Sequence, residues 1–278
     1  MTSEANQRLE RPEKKEEFGR NVTVHAIFVR HGEKALSTEH AETSLTPNGA
    51  DQAREFGQGL GDKVKGYASK TDRTIDTVRL AIESSDADKK LNFRIKDELG
   101  IAYNKDGEFS RAIHSQKKQI LGEDFASLPV AEQHNRLLAY EAWSTNYYLS
   151  FRDKRPDPKS EAPVEVASKI ASRVDLYIKT ADRLRSGSEI TLVNGTHDYC
   201  IAAFLKEVLT RATGNETHTG FDKIEDIGGP IDFTESFEVH INTDEKGEKH
   251  IGLSFRDQEY SINMERFRQL VEIGKQLK

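Results

Sequence analysis

Two short segments carry an apolar run straight into a histidine. In "HAIFVRHGEKA" (residues 25 to 35), Ala26 to Val29 end at Arg30, His31 and Gly32. In "LVNGTHDYC" (residues 192 to 200), a second run reaches His197, with Asp198 directly after it. Between them, "SKTDRTIDTV" (residues 69 to 78) offers Arg73. These residue types suit an anion. A guanidinium meets a phosphate through two parallel donors, and a neutral imidazole is a competent nucleophile near its pKa of ~6.5. Glycine at position 32 permits a tight turn and close backbone approach. Each residue also has a plainer reading. His31 could be a core-edge histidine bonded to backbone, Arg73 a solvated helix-start arginine, His197 a helix cap, and Asp198 an acidic partner of a helix dipole.

The elements around these residues decide between the two readings. Residues 22 to 29, "VTVHAIFV", read as a strand. A helix follows, with Thr46 as N-cap and Pro47 at its first position, ending near Gly59 and Gly61. "KVKGYAS" (63 to 69) reads as a second strand. The next helix opens with Ser69 and Asp72 in capping-box spacing and sets Arg73 in its first turn, where free N–H groups favour an anion. "LNFRIK" (91 to 96) alternates as a third strand. Residues 103 to 160 hold few strand signals. A helix begun at Pro129 carries Trp143, Tyr147 and Tyr148 as packing residues, and three prolines break it. This stretch reads as a helical cap insertion. Helical period returns from 163 to 185, then come the strand "EITLVNG", a helix from His197, a hairpin turning at Asp244 to Gly247, and a last helix from about Ile262.

Alternating strands and helices predict an α/β fold, a three-layer α/β/α sandwich with a mostly parallel sheet. Ligands of such sheets bind outside the carboxyl ends of the strands, which puts His31 and His197 on one rim. Arg30, His31, Arg73 and His197 then surround one phosphate-sized hole.

Composition narrows the partners. The 278 residues hold 41 Lys plus Arg against 47 Asp plus Glu, a net charge of −6, which argues against a nucleic-acid or anionic-membrane binder. One cysteine, Cys200, excludes an internal disulfide and a cysteine-based zinc site. His25, His40, His114, His134, His218, His240 and His250 show no ligand spacing, so no metal and no cofactor are expected. Residues 1 to 20 lack an apolar core and read as a charged, solvated tail rather than a signal peptide, leaving 21 to 278 as the folded domain. A cytoplasmic protein is the expectation.

Four segments together resemble the histidine phosphatase superfamily, the phosphoglycerate-mutase-like fold. "FVRHGEK" is similar to its nucleophile motif, "SLTPNGADQA" to the segment that follows it, "YASKTDRTIDTV" to its Ser, Arg-Thr and Thr pattern, and "LVNGTHDYCIAAFL" to its second-histidine strand and helix. The resemblance implies that His31 attacks phosphorus and becomes a phosphohistidine, with Arg30, Arg73 and His197 binding the equatorial oxygens and no metal required. It implies a phosphatase acting on a phosphorylated small molecule or phosphopeptide. The segment after "RHGEK" lacks the asparagine-rich loop of the mutase branch, which disfavours a phosphoglycerate-mutase-type transferase. The full set of two histidines and two arginines argues against a non-catalytic phosphate or phosphoprotein binder. Two carboxylates compete as general acid. Glu98, in "KDELG", lies near the position one branch uses, and Asp198 resembles the His-Asp pair of the other. Asp198 is preferred because the chain itself keeps it beside His197, and Glu33 stands next in line.

Overall fold

The computed structural model describes residues 17–34, 44–213 and 216–277. Its element order is β1 (Thr23–Arg30), α1 (Pro47–Gly57), β2 (Lys63–Ala68), α2 (Asp72–Ser84), β3 (Lys89–Ile95), α3 (Glu108–Leu121), α4 (Val130–Ser150), α5 (Pro163–Ala181), β4 (Glu189–Thr196), α6 (Asp198–Val208), β5 (Leu209–Thr213), β6 (Glu216–Thr219), β7 (Ser236–Thr243), β8 (Lys249–Phe255), β9 (Gln258–Ile262) and α7 (Met264–Gln276). The nine strands form one sheet in the order β3-β2-β4-β1-β7-β8-β9-β5-β6.

The α/β class holds, and the sheet is mixed. β3, β2, β4 and β1 run parallel, and every pair from β1 outward through β7, β8, β9, β5 and β6 is antiparallel. The C-terminal hairpin read from the sequence is β7–β8. It docks beside β1, whose second edge β7 pairs from Thr23↔Asn242 to Val29↔Ser236, satisfying backbone N–H and C=O groups that an open edge would leave unpaired.

Two apolar layers enclose the parallel half. Val24, Ala26 and Phe28 of β1 join the larger core under α5, α6 and α7. Val29 of β1, Val193 of β4 and Val64 and Ala68 of β2 face the other way, against Val78, Ala81 and Ile82 of α2. Period-2 alternation along β1 thus feeds two cores from one strand. The layers are α1–α2, the sheet, and α5–α6–α7, as an α/β/α sandwich requires.

Residues 103 to 160 contain α3 and α4 and no strand. The longer of the two, α4, contributes Tyr148 and Leu149 to the main core. Most of the N-terminal tail expected from the sequence lies outside the described residues. Its last four residues are tethered: Phe18 bridges Arg185, and Gly19 N–H donates to Leu184 O at 2.9 Å.

Candidate active site

Register sets the site. β1 and β4 are parallel neighbours with Arg30 opposite Thr196, so the next residues, His31 and His197, leave the sheet side by side. Their ring centroids lie 5.5 Å apart, edge to face. The His31 N–H donates to Thr196 O at 3.2 Å, and the Ser69 N–H, at the end of β2, donates to Gly195 O at 3.1 Å. Three strand ends therefore converge on one rim, where the topology of an α/β sheet puts ligands.

The first loop is held by α1. Thr46 caps this helix, its hydroxyl accepting from Gly49 N–H at 3.0 Å, with Pro47 at the first helical position. Gly32 and Gly49 touch through their backbones. A Cβ on Gly32 lands 2.4 Å from Gly49 O, and one on Gly49 lands 2.1 Å from Glu33 O. Glu33 N–H donates to the Gln52 side chain at 2.9 Å, and Asn48 donates to the Glu33 carboxylate. Gly32 N–H donates to Thr77 Oγ1 on α2 at 2.9 Å. The glycines, the glutamine and the second threonine of the motifs are thus the clamps that fix the loop bearing His31. Glu33 belongs to this clamp.

The hydrogen bonds assign the tautomers. His31 Nδ1 lies 2.8 Å from Gly32 O. A carbonyl only accepts, so Nδ1 carries the proton and Nε2 keeps its lone pair. His31 is 3% exposed, and burial together with His197, Arg30 and Arg73 pushes its pKa well below the ordinary 6.5. The ring is neutral at pH 7. Arg73 donates to His197 Nδ1 at 3.5 Å, so His197 Nε2 carries the proton and donates to Ser69 Oγ at 3.2 Å. Burial, then Arg73, Lys34 and Arg30, hold the His197 pKa well below 6.5 as well. Ser69 does not cap α2, as its spacing had predicted; Thr71 holds that position and Ser69 Oγ instead meets Thr74 Oγ1 at 2.7 Å.

Arg30 is the most constrained of the cations. Its NH2 and NH1 meet both oxygens of Glu141 at 2.8 and 3.2 Å, NH1 also donates to Ile231 O, and the guanidinium lies 4.2 Å from the centre of the Phe233 ring. Burial opposes its charge, yet Glu141, then Asp198, hold its pKa above the ordinary arginine value. Its buried Nε has no hydrogen-bond partner among the described residues. Lys34 adds a further cation: burial, then Arg73, pushes its pKa down to about 8, against the pull of Asp198.

Of the six residues singled out in the sequence, five come together: Arg30, His31, Arg73, His197 and Asp198. Asp198 is the first residue of α6, directly after His197, and its charge is among the leading influences on Arg30 and Lys34. Glu98 sits in a short 3₁₀ turn after β3 and pairs with Arg173 of α5 at 3.3 Å; Arg173 in turn lies 4.0 Å from the Tyr67 ring centre and donates to Tyr177 at 2.8 Å. Glu141, Phe233 and Lys34 went unread in the sequence. Lys34 had a signal, its place three residues after His31. Glu141 had none, since only the packing of α4 brings it to Arg30.

Two arginines and two histidines, with Arg30, His31 and His197 buried and Arg73 half-buried, thus gather at the carboxyl rim of the mixed α/β sheet. Residues 26–117 match the sequence profile of the histidine phosphatase superfamily (branch 1). Among solved structures, a mycobacterial protein described as hydrolase 1 is 16% identical, with 84% of this chain and 98% of that chain covered and a TM-score of 0.51. Mycobacterial hydrolase 2 is 14% identical, with 91% and 98% covered and a TM-score of 0.50. The native structure of mycobacterial glucosyl-3-phosphoglycerate phosphatase is 15% identical, with 84% and 98% covered and a TM-score of 0.48. No curated protein sequence matches the chain. The profile match spans 92 of the 278 residues, and the likeness to the solved structures, all under 25% identical, is one of fold. Among the described residues, no helix is long and apolar enough to cross a membrane.

Proposed function

We propose that the protein is a phosphatase that hydrolyses phosphomonoesters without a metal, through a phosphohistidine on His31. The observation that carries this reading is the His31 tautomer. Its Nδ1–H is committed to Gly32 O, and its Nε2 lone pair is free in a pocket ringed by cations. Phosphoryl transfer asks the protein for in-line positioning and for positive charge around the spreading negative charge. Arg30, Arg73 and Lys34 supply the charge, with the neutral His197 beside them, and Arg30 Nε is a donor left for a phosphate oxygen.

In the first step, Nε2 of His31 bonds to phosphorus while the P–O bond to the leaving group breaks and the leaving oxygen takes a proton from Asp198. In the second, water attacks phosphorus, gives its proton to Asp198, and the P–N bond breaks to release phosphate. Asp198 is favoured over Glu98 because it neighbours His197 and acts on Arg30 and Lys34, whereas Glu98 is paired with Arg173. The helices of residues 103 to 160 serve in this reading as a cap that selects the substrate, a phosphorylated small molecule or phosphopeptide; α4 reaches the pocket through Glu141. No nucleic acid and no membrane surface is involved, in keeping with the net charge of −6, and the protein acts in the cytoplasm.

Incubation with a radioactive phosphomonoester followed by rapid quenching tests the reading. The wild type traps acid-labile, alkali-stable label and His31→Ala traps none, with and without EDTA. Wild-type turnover in His31→Ala, or phosphate affinity without label or turnover in the wild type, overturns it.

A further inference from the structure

Spacing along the chain gave no hint of a metal site, but strand register creates one. On β1 and β7, His25 lies directly opposite His240, and Ile27 lies opposite Glu238. Side chains two residues apart share a face, so His25, His240 and Glu238 all project from the side opposite Val24, Ala26 and Phe28. Both imidazoles turn Nδ1 to one carboxylate oxygen: His25 Nδ1 is 2.5 Å and His240 Nδ1 2.9 Å from Glu238 Oε1. The ligand atoms of these three residues lie within 4.8 Å of one another, the one such convergence of three found among the described residues.

The surroundings extend the set. Thr23 pairs with Glu189 and with Asn242, and Asn242 pairs with His250, so Glu189 and His250 share this face. Glu189 reaches His25 Nε2 at 3.2 Å, and Glu259 lies 3.8 Å from His240 Nε2. Gly252 stands opposite His240 on β8 with no side chain, which leaves a groove bordered by His240, His250 and Glu259. The three central side chains are 22% to 29% exposed, sheltered enough to be fixed and open enough for an ion to enter.

We propose that His25, Glu238 and His240 form a binding site for a divalent transition-metal ion of the zinc class, on the open sheet face remote from the phosphate pocket. Two imidazoles and a carboxylate are ligands suited to zinc, nickel or copper, and the acidic neighbours offset the ion's charge. Zn–N and Zn–O bonds of about 2.0–2.1 Å in tetrahedral array separate ligand atoms by about 3.3 Å, so the Nδ1–Oε1 contacts need open by less than about 1 Å. The ion takes the place of the Nδ1 protons: an imidazolium loses one proton to solvent, a neutral ring carries its proton on Nε2 instead, and either way Nε2–H faces Glu189 from His25 and Ser254 from His240. His25 lies on β1 six residues before His31, which directly follows the strand, about 20 Å at ~3.3 Å per residue, so the site is structural or regulatory and does not touch the reacting phosphate.

The test is a titration of the chelator-stripped full chain with Zn²⁺ against a chromophoric competitor, with a parallel Co²⁺ titration read by its visible ligand-field absorption. One equivalent should bind to the wild type and to His31→Ala. His25→Ala, His240→Ala and the near-isosteric Glu238→Gln should each weaken binding at least tenfold, with far-UV circular dichroism confirming that the sheet is intact. Should a histidine variant misfold, Glu238→Gln and the wild-type Co²⁺ spectrum decide. Absence of stoichiometric binding to the wild type, binding unchanged in these variants, or binding lost in His31→Ala overturns the proposal.

Discussion

Removing Glu141 tests whether α4 holds Arg30 in place for the proposed phosphate contact. Arg30 is 4% exposed at its side chain and Glu141 20%, and the two meet through both guanidinium nitrogens at 2.8 and 3.2 Å. Breaking such a pair leaves an uncompensated buried cation. The general cost is about 3–5 kcal/mol, and the partial exposure of Glu141 puts this pair near 3. For a chain of this size that lowers the melting temperature by about 5–10 °C. Glu141→Ala also frees the guanidinium to tilt toward Ile231 O and Phe233. A misplacement of about 1 Å at a charge-stabilising group costs about 10²-fold, or ~2.7 kcal/mol in kcat/KM. Glu141→Gln retains a neutral acceptor and should fall between. The assays are thermal unfolding, kcat/KM on an aryl phosphate, and inhibition by inorganic phosphate. The double variant Arg30→Ala/Glu141→Ala should be no worse than Arg30→Ala alone, because Glu141 acts through Arg30. Wild-type stability and phosphate inhibition in Glu141→Ala, or full additivity in the double variant, refutes the reasoning.

Gly32→Ala should be destabilised and nearly inactive, because its Cβ lands 2.4 Å from Gly49 O, and backbone rather than a flexible side chain has to give; denaturant midpoints and turnover check this. The acid limb of kcat/KM should lie well below pH 6.5, since burial and the surrounding cations keep His31 neutral there; a limb at or above 6.5 contradicts it. The same depressed values make the unfolded chain the better proton binder below 6.5, so stability should fall as pH drops from 6.5 toward 5, by up to about 1.4 kcal/mol per unit for each of His31 and His197, read by denaturant unfolding at a series of pH values. Asp198→Asn should slow a substrate with a poor alkyl leaving group far more than one with a good aryl leaving group, whereas Glu98→Gln should slow both alike; the reverse pattern assigns the acid to Glu98.

What could be read from the sequence was local or periodic. β1 and β4 announced themselves by apolar runs that stop at histidines, and Thr46-Pro47 marked the start of α1. The rule for strand ends then sufficed to join His31 with His197. Contacts that depend on register or on docking were not legible. Ser69 looked like a cap because its spacing to Asp72 fits one, but its hydroxyl is drawn to Thr74 and His197 once β2 lies beside β4. Glu98 looked available because no linear pattern reveals Arg173 beneath it. α3 was covered only by the general reading of 103 to 160 as helical, because its apolar face is thin: Phe109 and Leu121 are buried near its ends, with Ile113 partly buried between them. The hairpin was visible and its place was not: turn chemistry specifies β7–β8, whereas pairing of β7 with β1 rests on long-range burial.

The adjacency of β1 and β4 has a consequence for how freely the chain can vary. Arg30 and Thr196 are register partners although 166 positions separate them. Apart from β2 and the start of α2, which bring Ser69 and Arg73 to the rim, what lies between is, from the pocket's standpoint, one closed loop. The entropy of closing a loop rises only with the logarithm of its length, about 0.6 kcal/mol for each doubling. Lengthening, shortening or exchanging the stretch around α3 and α4 therefore costs the strand pairing almost nothing, provided that a carboxylate still arrives at Arg30. Connectivity thus leaves that stretch free to vary, and the limits on it are set by what α4 packs into the core and by its carboxylate at Arg30.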